Sequence, residues 1–331
     1  MGVIKLKDIA DKTGVSVVTV SNALSGKKGV SGAVRSEIMA AAKELGYDVS
    51  RYDDKKKESR IGVIVSEKYI SVGNSFYWAM YQQVAYMASK KNCFTMLEIR
   101  GNNEAGQNSL PGVLQEKAVD GLLIIGWLER RQLERILNAA GVPVVLLDFY
   151  EEGLSCDSVM SNNYMGMYRA TRYLLERGHR DIAFVGSIGA GNNIRERYFG
   201  FRRGMEEWRL PVREEWLIED RDIRSGRVRI ALPEHMPTAF ACNSDYTAGC
   251  LYNILRERGF FVPGDVSVIS YDNYLYGHPF AKELTTCNVD MRLMAKTAVD
   301  LLLKKQKYPD KRQEVKYIDG TIVERDSVRE L

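Results

Sequence analysis

Few residues in this sequence suit metal binding or covalent chemistry. Of its 331 residues only five are cysteine and three are histidine. The cysteines are scattered without a C-x-x-C pair, which argues against a metal site and is typical of the reducing cytoplasm. The histidines lie far apart in the chain, and no nucleophile–base–orienter set is visible. We therefore predict no metal, no cofactor and no enzymatic activity.

Long hydrophobic runs are also missing. No stretch approaches the roughly 18 apolar residues that a membrane helix needs. The first ten residues, "MGVIKLKDIA", lack the apolar core of a secretory signal. The sequence therefore predicts a cytoplasmic protein with no membrane partner.

A dinucleotide loop is the third absence. The stretch "GSIGAGNN" holds closely spaced glycines, but their spacing is not G-x-G-x-x-G. A sugar-active dehydrogenase on an α/β fold stays an alternative, although this chain offers it no cofactor loop.

The positive charge is concentrated at the start of the chain. Residues 1–60 hold 12 Lys and Arg against 8 Asp and Glu, whereas the remaining 271 residues hold 35 of each. A basic segment on a neutral body is typical of a segment that binds an anionic partner. A solubilising tail explains the charge equally well.

Three short helices are predicted between residues 6 and 45. Gly14 permits a sharp turn after the first helix, and Ser16 is suited to cap the second. Val20 and Leu24 point inward from that second helix, while "SGAVRSEIMAAAKELGY" carries one apolar stripe and stops at a glycine. Helix, short turn with glycine, helix and supporting helix make a helix-turn-helix.

The outward face of the second helix carries Val17, Val18, Ser21 and Asn22. Exposed valines at a helix start need a partner surface to cover them. Thymine methyl groups in a major groove provide one, and Asn22 is able to pair bidentately with adenine. A protein partner for this face is the alternative. Hydroxyl groups nearby are candidates for phosphate contacts, namely those of Ser16, Thr19, Ser21 and Ser31.

From residue 61 onward short apolar strands alternate with amphipathic helices. Runs such as "IGVIV", "GLLIIG", "IAFVG" and "VSVISYD" are typical of buried parallel strands, and the alternation indicates βαβ units. We place helices near 107–117 and 225–232 among others. Two such series predict an α/β fold of two doubly wound parallel-sheet subdomains with a cleft between them.

The segment "KLKDIADKTGVSVVTVSNALSGKKGV" and the helix after it resemble the headpiece of LacI/GalR-family bacterial transcription regulators. The resemblance implies that Val17, Val18 and Asn22 read the operator. Many family members carry arginine where this chain has Asn22, so we expect a preference for adenine rather than guanine there.

The resemblance continues through "VDGLLIIG", "GVPVVLLD", "RERYFGFRRGM" and "VPGDVSVISYDN". It implies a periplasmic-binding-protein-like regulatory domain that binds a small effector, usually a sugar or nucleobase, in its cleft. The implied organisation is a headpiece at 1–47, a linker at 48–60, and an effector-binding domain at 61–331. Its N-subdomain takes about 61–161 and 291–318, and its C-subdomain about 162–290 and 319–331. The implied effector residues are Phe76, Tyr77, Asp148, Phe149, Asn193, Arg197, Asp245 and Asp272.

The linker "DVSRYDDKKKESR" departs from the family pattern "PNxxAxxL". It lacks the proline and the leucine that wedges into the minor groove, so it is an atypical hinge. Lys55, Lys56 and Lys57 are candidates for phosphate contacts, with simple solvation as the alternative.

These features together predict a homodimeric repressor whose affinity for a double-stranded DNA operator depends on a small polar effector, a sugar. A single headpiece makes too few contacts to select one DNA site, whereas two linked headpieces that read two half-sites are selective enough. A ligand-binding protein of the same fold that has lost DNA binding is the alternative.

Overall fold

The computed structural model describes residues 4–26, 29–47, 58–70, 76–101, 109–223, 226–274 and 277–331. The chain divides into two compact units, Met1–Ser59 and Arg60–Leu331.

Three helices make up the described part of the first unit: α1 (Leu6–Thr13), α2 (Val17–Leu24) and α3 (Gly32–Glu44). Gly14 ends α1 with φ of 67°, a left-handed conformation that glycine adopts without strain. Eight buried side chains from the three helices form a small core around Ile9, Val20 and Ile38, as the apolar spacing predicts.

The second unit contains strands β1 (Ser59–Ser66), β2 (Cys93–Arg100), β3 (Gly121–Ile125), β4 (Val144–Leu147), β5 (Asp157–Ser161), β6 (Ile182–Val185), β7 (Leu217–Ile218), β8 (Ala239–Cys242), β9 (Ser267–Asp272), β10 (Thr285–Asn288), β11 (Val315–Ile318) and β12 (Thr321–Val323). Its helices are α4 (Phe76–Ser89), α5 (Gly112–Gln115), α6 (Arg130–Ala140), α7 (Asn163–Glu176), α8 (Asn192–Glu207), α9 (Asp245–Glu257) and α10 (Met291–Lys307).

These strands form two six-stranded sheets. The first has the order β11-β5-β4-β3-β1-β2, and the second has the order β12-β10-β9-β8-β6-β7. Pairings such as Val63↔Leu123 and Ala241↔Ile269 are parallel, while β12 runs antiparallel to β10. The α/β fold with two mainly parallel sheets and the preceding helix-turn-helix are therefore confirmed.

The chain passes between the sheets three times. It leaves the first sheet after β5 for α7, returns from β10 to α10, and crosses again between β11 and β12. The first and third crossings are joined, because Asn162 Nδ2 donates to Asp319 Oδ1 over 2.7 Å. Since parallel strands end at the same edge, these crossings place the strand ends of both sheets around one cleft.

Two predicted helices differ in the structure. Within the described part of 107–117 only the one-turn α5 forms. The described residues 226–232 contain no helix, so that prediction is wrong. Gly226, with φ of 68°, closes a turn in which its N–H donates to the Asp222 carbonyl, and Val228 bridges antiparallel to Arg221. Ile230 and Leu232 alternate onto the core, which is strand rather than helix periodicity.

The closest helix contact joins α7 to α8 and sets one wall of the cleft. A Cβ atom at Gly200 would lie 2.1 Å from the backbone oxygen of Tyr164, so only glycine fits there. A Cβ at Gly204 would meet the Thr171 side chain at 2.8 Å. The two helices therefore pack backbone against backbone along this stretch.

We expect Gly200→Ala to lower the free energy of unfolding of the second unit by about 2 kcal/mol, because backbone atoms must move apart. The matched control is Gly249→Ala inside α9, where the nearest atom is a His278 ring carbon at 3.5 Å. That change should be neutral or stabilise by up to about 1 kcal/mol through helix propensity. Urea unfolding followed by circular dichroism measures both, and equal effects would contradict the packing argument.

Candidate functional site

The exposed side of α2 carries the residues predicted to read DNA. Val17 is 42% exposed and Val18 is 68% exposed. Ser21 and Asn22 are partly exposed, whereas Val20 and Leu24 are buried against the other two helices. The helix therefore presents two valines and an amide to the outside. Their role in operator reading stays a prediction.

Three of the four residues whose hydroxyl groups are predicted to contact phosphates lie at helix starts, whereas Ser21 lies in the middle of α2. Ser16 Oγ accepts from the Thr19 N–H over 3.1 Å and lies 2.8 Å from Thr19 Oγ1. Ser31 Oγ accepts from the Val34 N–H over 3.4 Å at the start of α3. Helix N-termini favour anions, so these positions are compatible with phosphate. Lys55, Lys56 and Lys57 lie outside the described residues.

Asp148 is the central polar residue of the cleft. It follows β4 with φ of 67°, and only 2% of its surface is exposed. Its Oδ2 accepts from the Tyr77 hydroxyl over 3.0 Å and from Asn193 Nδ2 over 3.2 Å. Its Oδ1 is buried and accepts no hydrogen bond of normal geometry, although the Ser161 backbone lies close enough to lower the pKa of the carboxyl. Because Tyr77 starts α4 and Asn193 starts α8, this carboxylate joins the two sides of the cleft.

Aromatic rings line the cleft beside Asp148. The rings of Tyr69 and Tyr77 are 4.5 Å apart between centroids, and Phe76 contacts Tyr77 edge-on at 5.4 Å. Phe76 also meets Tyr274 from the second sheet at 6.0 Å. Gly126 leaves room for this cluster, because a Cβ there would lie 2.8 Å from the Tyr69 ring. Phe76 and Tyr77 were predicted here, whereas Tyr69 was missed although it follows the carboxyl end of β1.

Arg197 is held from several sides at the floor of the cleft. Its Nε donates to Asn163 Oδ1 over 2.8 Å, and its Nη1 donates to the Asn243 carbonyl. Nη1 also lies 3.2 Å from Asp272 Oδ1. The guanidinium stacks on the Tyr271 ring at 3.9 Å. Arg197 and Asp272, each predicted as an effector contact, thus form one buried ion pair that links α8 to the end of β9.

Two of the implied effector residues have other roles in this conformation. Phe149 is 2% exposed and packs with Leu128 and Leu133 in the core on the far face of the first sheet, so it does not line the cleft. Asp245 Oδ1 accepts from Thr286 Oγ1 over 2.7 Å and from Ser270, while Oδ2 accepts from the Tyr274 N–H over 2.9 Å. Local structure therefore satisfies the Asp245 carboxylate.

A further polar pair was missed by sequence reasoning. Asp220 is fully buried and accepts from the Ser187 N–H over 2.9 Å and from Thr247 Oγ1 over 2.7 Å. Arg221 Nη2 lies 2.5 Å from Asp220 Oδ2, and its charge lowers the pKa of the cleft residue Tyr69. The signal in the sequence was the acidic and basic pair directly after β7.

Burial shifts the titration of the cleft carboxyls. It raises the pKa of Asp148 to about 6, with Arg197 opposing the rise. Burial also raises the pKa of Asp272, again opposed by Arg197. At neutral pH Asp148 is therefore an ionised carboxylate kept from water, with one oxygen unbonded. Among the described residues, no His, Cys, Asp and Glu cluster is suited to a metal ion, and no helix is long and apolar enough to cross a membrane.

Comparison with known proteins identifies the family. Residues 5–50 match the model of bacterial regulatory proteins of the lacI family, and residues 171–328 match the periplasmic binding protein-like domain. The HTH-type transcriptional repressor PurR of Vibrio parahaemolyticus is 31% identical, over 98% of this chain and 99% of its own. This chain belongs to the LacI family.

Solved structures of LacI-family regulators have the same fold. The transcriptional regulator CelR in complex with cellobiose superposes with a TM-score of 0.68 at 23% identity, covering 98% of this chain and 99% of its own. The lac repressor dimer bound to operator and the anti-inducer ONPF gives 0.65 at 22% identity, covering 99% and 100%. The predicted fold and the resemblance on which it was based are confirmed.

The raised pKa of Asp148 makes stability depend on pH. Its folded value of about 6 lies above the unfolded value of about 3.9. The folded chain therefore binds more protons between these two values, so the contribution of Asp148 to stability falls as pH rises through this window.

We expect Asp148→Asn to stabilise the ligand-free protein by about 2 kcal/mol at pH 8, because a neutral amide avoids the buried charge. The gain should shrink as pH falls through 6 towards 4, where Asp148 itself becomes neutral. Asp300→Asn is the control, since Asp300 is partly exposed and ion-paired with Lys91. Urea unfolding at pH 5 and pH 8 measures the gain, and a gain independent of pH argues against this reading.

Proposed function

We propose that this protein is a homodimeric transcriptional repressor that binds a double-stranded DNA operator and responds to a small polar effector, a sugar. The observation that carries the proposal is the uncovered face of α2, where Val17 and Val18 are exposed above a buried Val20. Apolar side chains at a helix start are suited to the thymine methyl groups of a major groove. The homologous PurR is a transcriptional repressor by name, which supports the same function here.

The base preference rests on Asn22 and the two valines. An asparagine side chain pairs with both the N6 and N7 atoms of adenine, while valine contacts the methyl group of thymine. The expected half-site is therefore rich in A·T pairs at the positions facing α2. The hydroxyls of Ser16, Thr19, Ser21 and Ser31 are proposed to fix the register through phosphates.

The effector site is proposed to lie around Asp148. The bare Oδ1 accepts from an effector hydroxyl, and the Tyr69 and Tyr77 rings provide an apolar surface for a sugar ring. Arg197, Asp272 and Asn193 complete the other side of the cleft. The fold-related CelR was solved with cellobiose, which supports a sugar-sized ligand in this architecture.

The switch is proposed to act through the cleft. Asp148 Oδ2 joins Tyr77 on one side to Asn193 on the other, so a ligand on Oδ1 favours the pose that this carboxylate holds together. An effector changes operator affinity only by its differential affinity for the two poses. The spacing of two headpieces in a dimer is the quantity we expect this pose to control.

We expect Val18→Ala to weaken operator binding about fivefold, roughly 1 kcal/mol, by removing apolar contact with the groove. Stability should change by less than about 0.5 kcal/mol, because Val18 is exposed. Met39→Ala, on α3 and 41% exposed, is the matched control and should leave DNA affinity unchanged. Gel shifts with fragments of the upstream region of its own gene measure both. No binding by the wild-type chain would instead favour a ligand-binding protein without DNA activity.

The three linker lysines are proposed to contact phosphates. Replacing Lys55, Lys56 and Lys57 with alanine should then flatten the dependence of operator affinity on salt by up to about three phosphate contacts. Affinity is measured at several salt concentrations, with Lys305→Ala in α10 as control. An unchanged slope assigns the lysines to solvation.

A further inference from the structure

The arginines of the cleft already have carboxylate partners. Arg197 is paired with Asp272 at 3.2 Å, and Arg221 is paired with Asp220 at 2.5 Å. With its carboxyl group ionised, each pair is neutral as a unit. An anionic effector, such as a phosphorylated sugar, would have to displace a buried carboxylate from its arginine, which is costly.

Asp148 has no such partner. Within the part of the chain that the structure describes, no Lys or Arg nitrogen lies within ion-pair distance of its carboxylate. Arg197 lowers the pKa of Asp148 more than Glu196 raises it, but Arg197 is already paired with Asp272, and Glu196 is bonded only to Asn163 over 3.0 Å. With these groups ionised, two arginines face four carboxylates, so the cleft carries an excess of negative charge.

The surroundings of Asp148 Oδ1 indicate which kind of ligand group it would accept a hydrogen bond from. Tyr77 and Asn193 both donate to Oδ2, which leaves Oδ1 for the ligand. The charge of Asp148 also acts on Tyr69, so the ring pair of Tyr69 and Tyr77 adjoins the carboxylate. A buried carboxylate beside aromatic rings is an environment that binds ammonium groups, through charge-assisted hydrogen bonds and cation–π attraction.

We propose that the effector carries a primary ammonium group, that this group donates to Asp148 Oδ1, and that the ligand is an amino sugar. This inference rests on the proposed function and narrows its effector class. A neutral hydroxyl group can also donate to Asp148 Oδ1, but it leaves the negative charge of the buried carboxylate uncompensated. The ring pair favours a sugar ring over a flexible aliphatic amine, because the ring contributes apolar contact.

Matched ligands isolate the ammonium group. Calorimetric titration of the full chain at pH 7 compares glucosamine with glucose and N-acetylglucosamine, and galactosamine with galactose and N-acetylgalactosamine. Putrescine, hypoxanthine and glucose 6-phosphate represent aliphatic amines, neutral nucleobases and anions. We expect at least one amino sugar to bind about tenfold or more tightly than both of its neutral counterparts. Putrescine should bind more weakly than that amino sugar.

The variant pair tests whether Asp148 causes the preference. Asp148→Asn should bring the amine and its neutral counterpart to within about twofold of each other, whereas Asp300→Asn, with the same change in net charge, should keep the tenfold ratio. Thermal melts establish that both variants are folded. If a variant is unfolded, the affinities of the wild-type chain for the amino sugar and for its N-acetyl form alone test the inference.

The remaining outcomes overturn the inference. A neutral sugar, hypoxanthine or glucose 6-phosphate that binds more tightly than every amino sugar is one such outcome. Tighter binding of putrescine than of any amino sugar, or no binding by any amine, is another. An amine preference that survives in Asp148→Asn also overturns the inference. A wild-type gel shift keeps the proposed function separate. Operator binding that responds to a neutral ligand but not to amines overturns only the amino-sugar inference, and absent operator binding overturns the repressor function.

Discussion

The cleft depends on a single carboxylate that is buried, charged at neutral pH and only half bonded. Asp148 accepts from Tyr77 and Asn193 through one oxygen, and its other oxygen is buried without a hydrogen bond of normal geometry. Burying such a charge destabilises the folded chain unless donors compensate it. Its left-handed backbone, with φ of 67°, is a second local cost in a non-glycine residue. Strain and desolvation gathered at one position support the proposal that this carboxylate binds a ligand.

The two sheets explain why this carboxylate lies among the groups it contacts. Asp148 follows β4 in one sheet, while Asp272 ends β9 in the other, and parallel strands bring such ends to a common edge. The close backbone packing of α7 on α8 then places Arg197 over the Tyr271 ring, next to Asp272. Apolar side chains fill the interior of each sheet, so the polar groups gather at the strand ends, where most of them bond to one another.

Sequence reasoning succeeded where periodicity is strong and failed where a contact is made between distant segments. Continuous apolar runs such as "GLLIIG" predicted buried strands, and the inward spacing of Val20 and Leu24 predicted the headpiece core. Phe149 shows the limit, because adjacency to Asp148 in the chain places its side chain on the opposite face of the sheet.

Other parts of the site had no local signal. The Tyr69 and Tyr77 rings lie 4.5 Å apart between centroids, and their contact depends on the small size of Gly126. The saturation of Asp245 by Thr286 and Tyr274 depends on three separated segments, so its residue type alone suggested a ligand contact. The stretch at 225–232 was predicted as a helix, yet in its described part Ile230 and Leu232 pack on the core at a two-residue spacing, which is typical of an extended chain.

The same carboxylate links ligand binding to conformation. In the pose described here Asp148 is kept from water, and the cost of its charge grows as pH rises through about 6. In a pose that lets water reach Oδ1, hydration compensates the buried charge of Asp148 without a ligand. A hydrogen-bond donor from an effector compensates the same charge while the cleft stays closed. Under the proposed function, we expect the empty cleft to be biased toward opening at neutral pH, and we expect an effector that donates to Oδ1 to favour closure. The proposed switch then needs no contact beyond those that the carboxylate already makes with Tyr77 and Asn193.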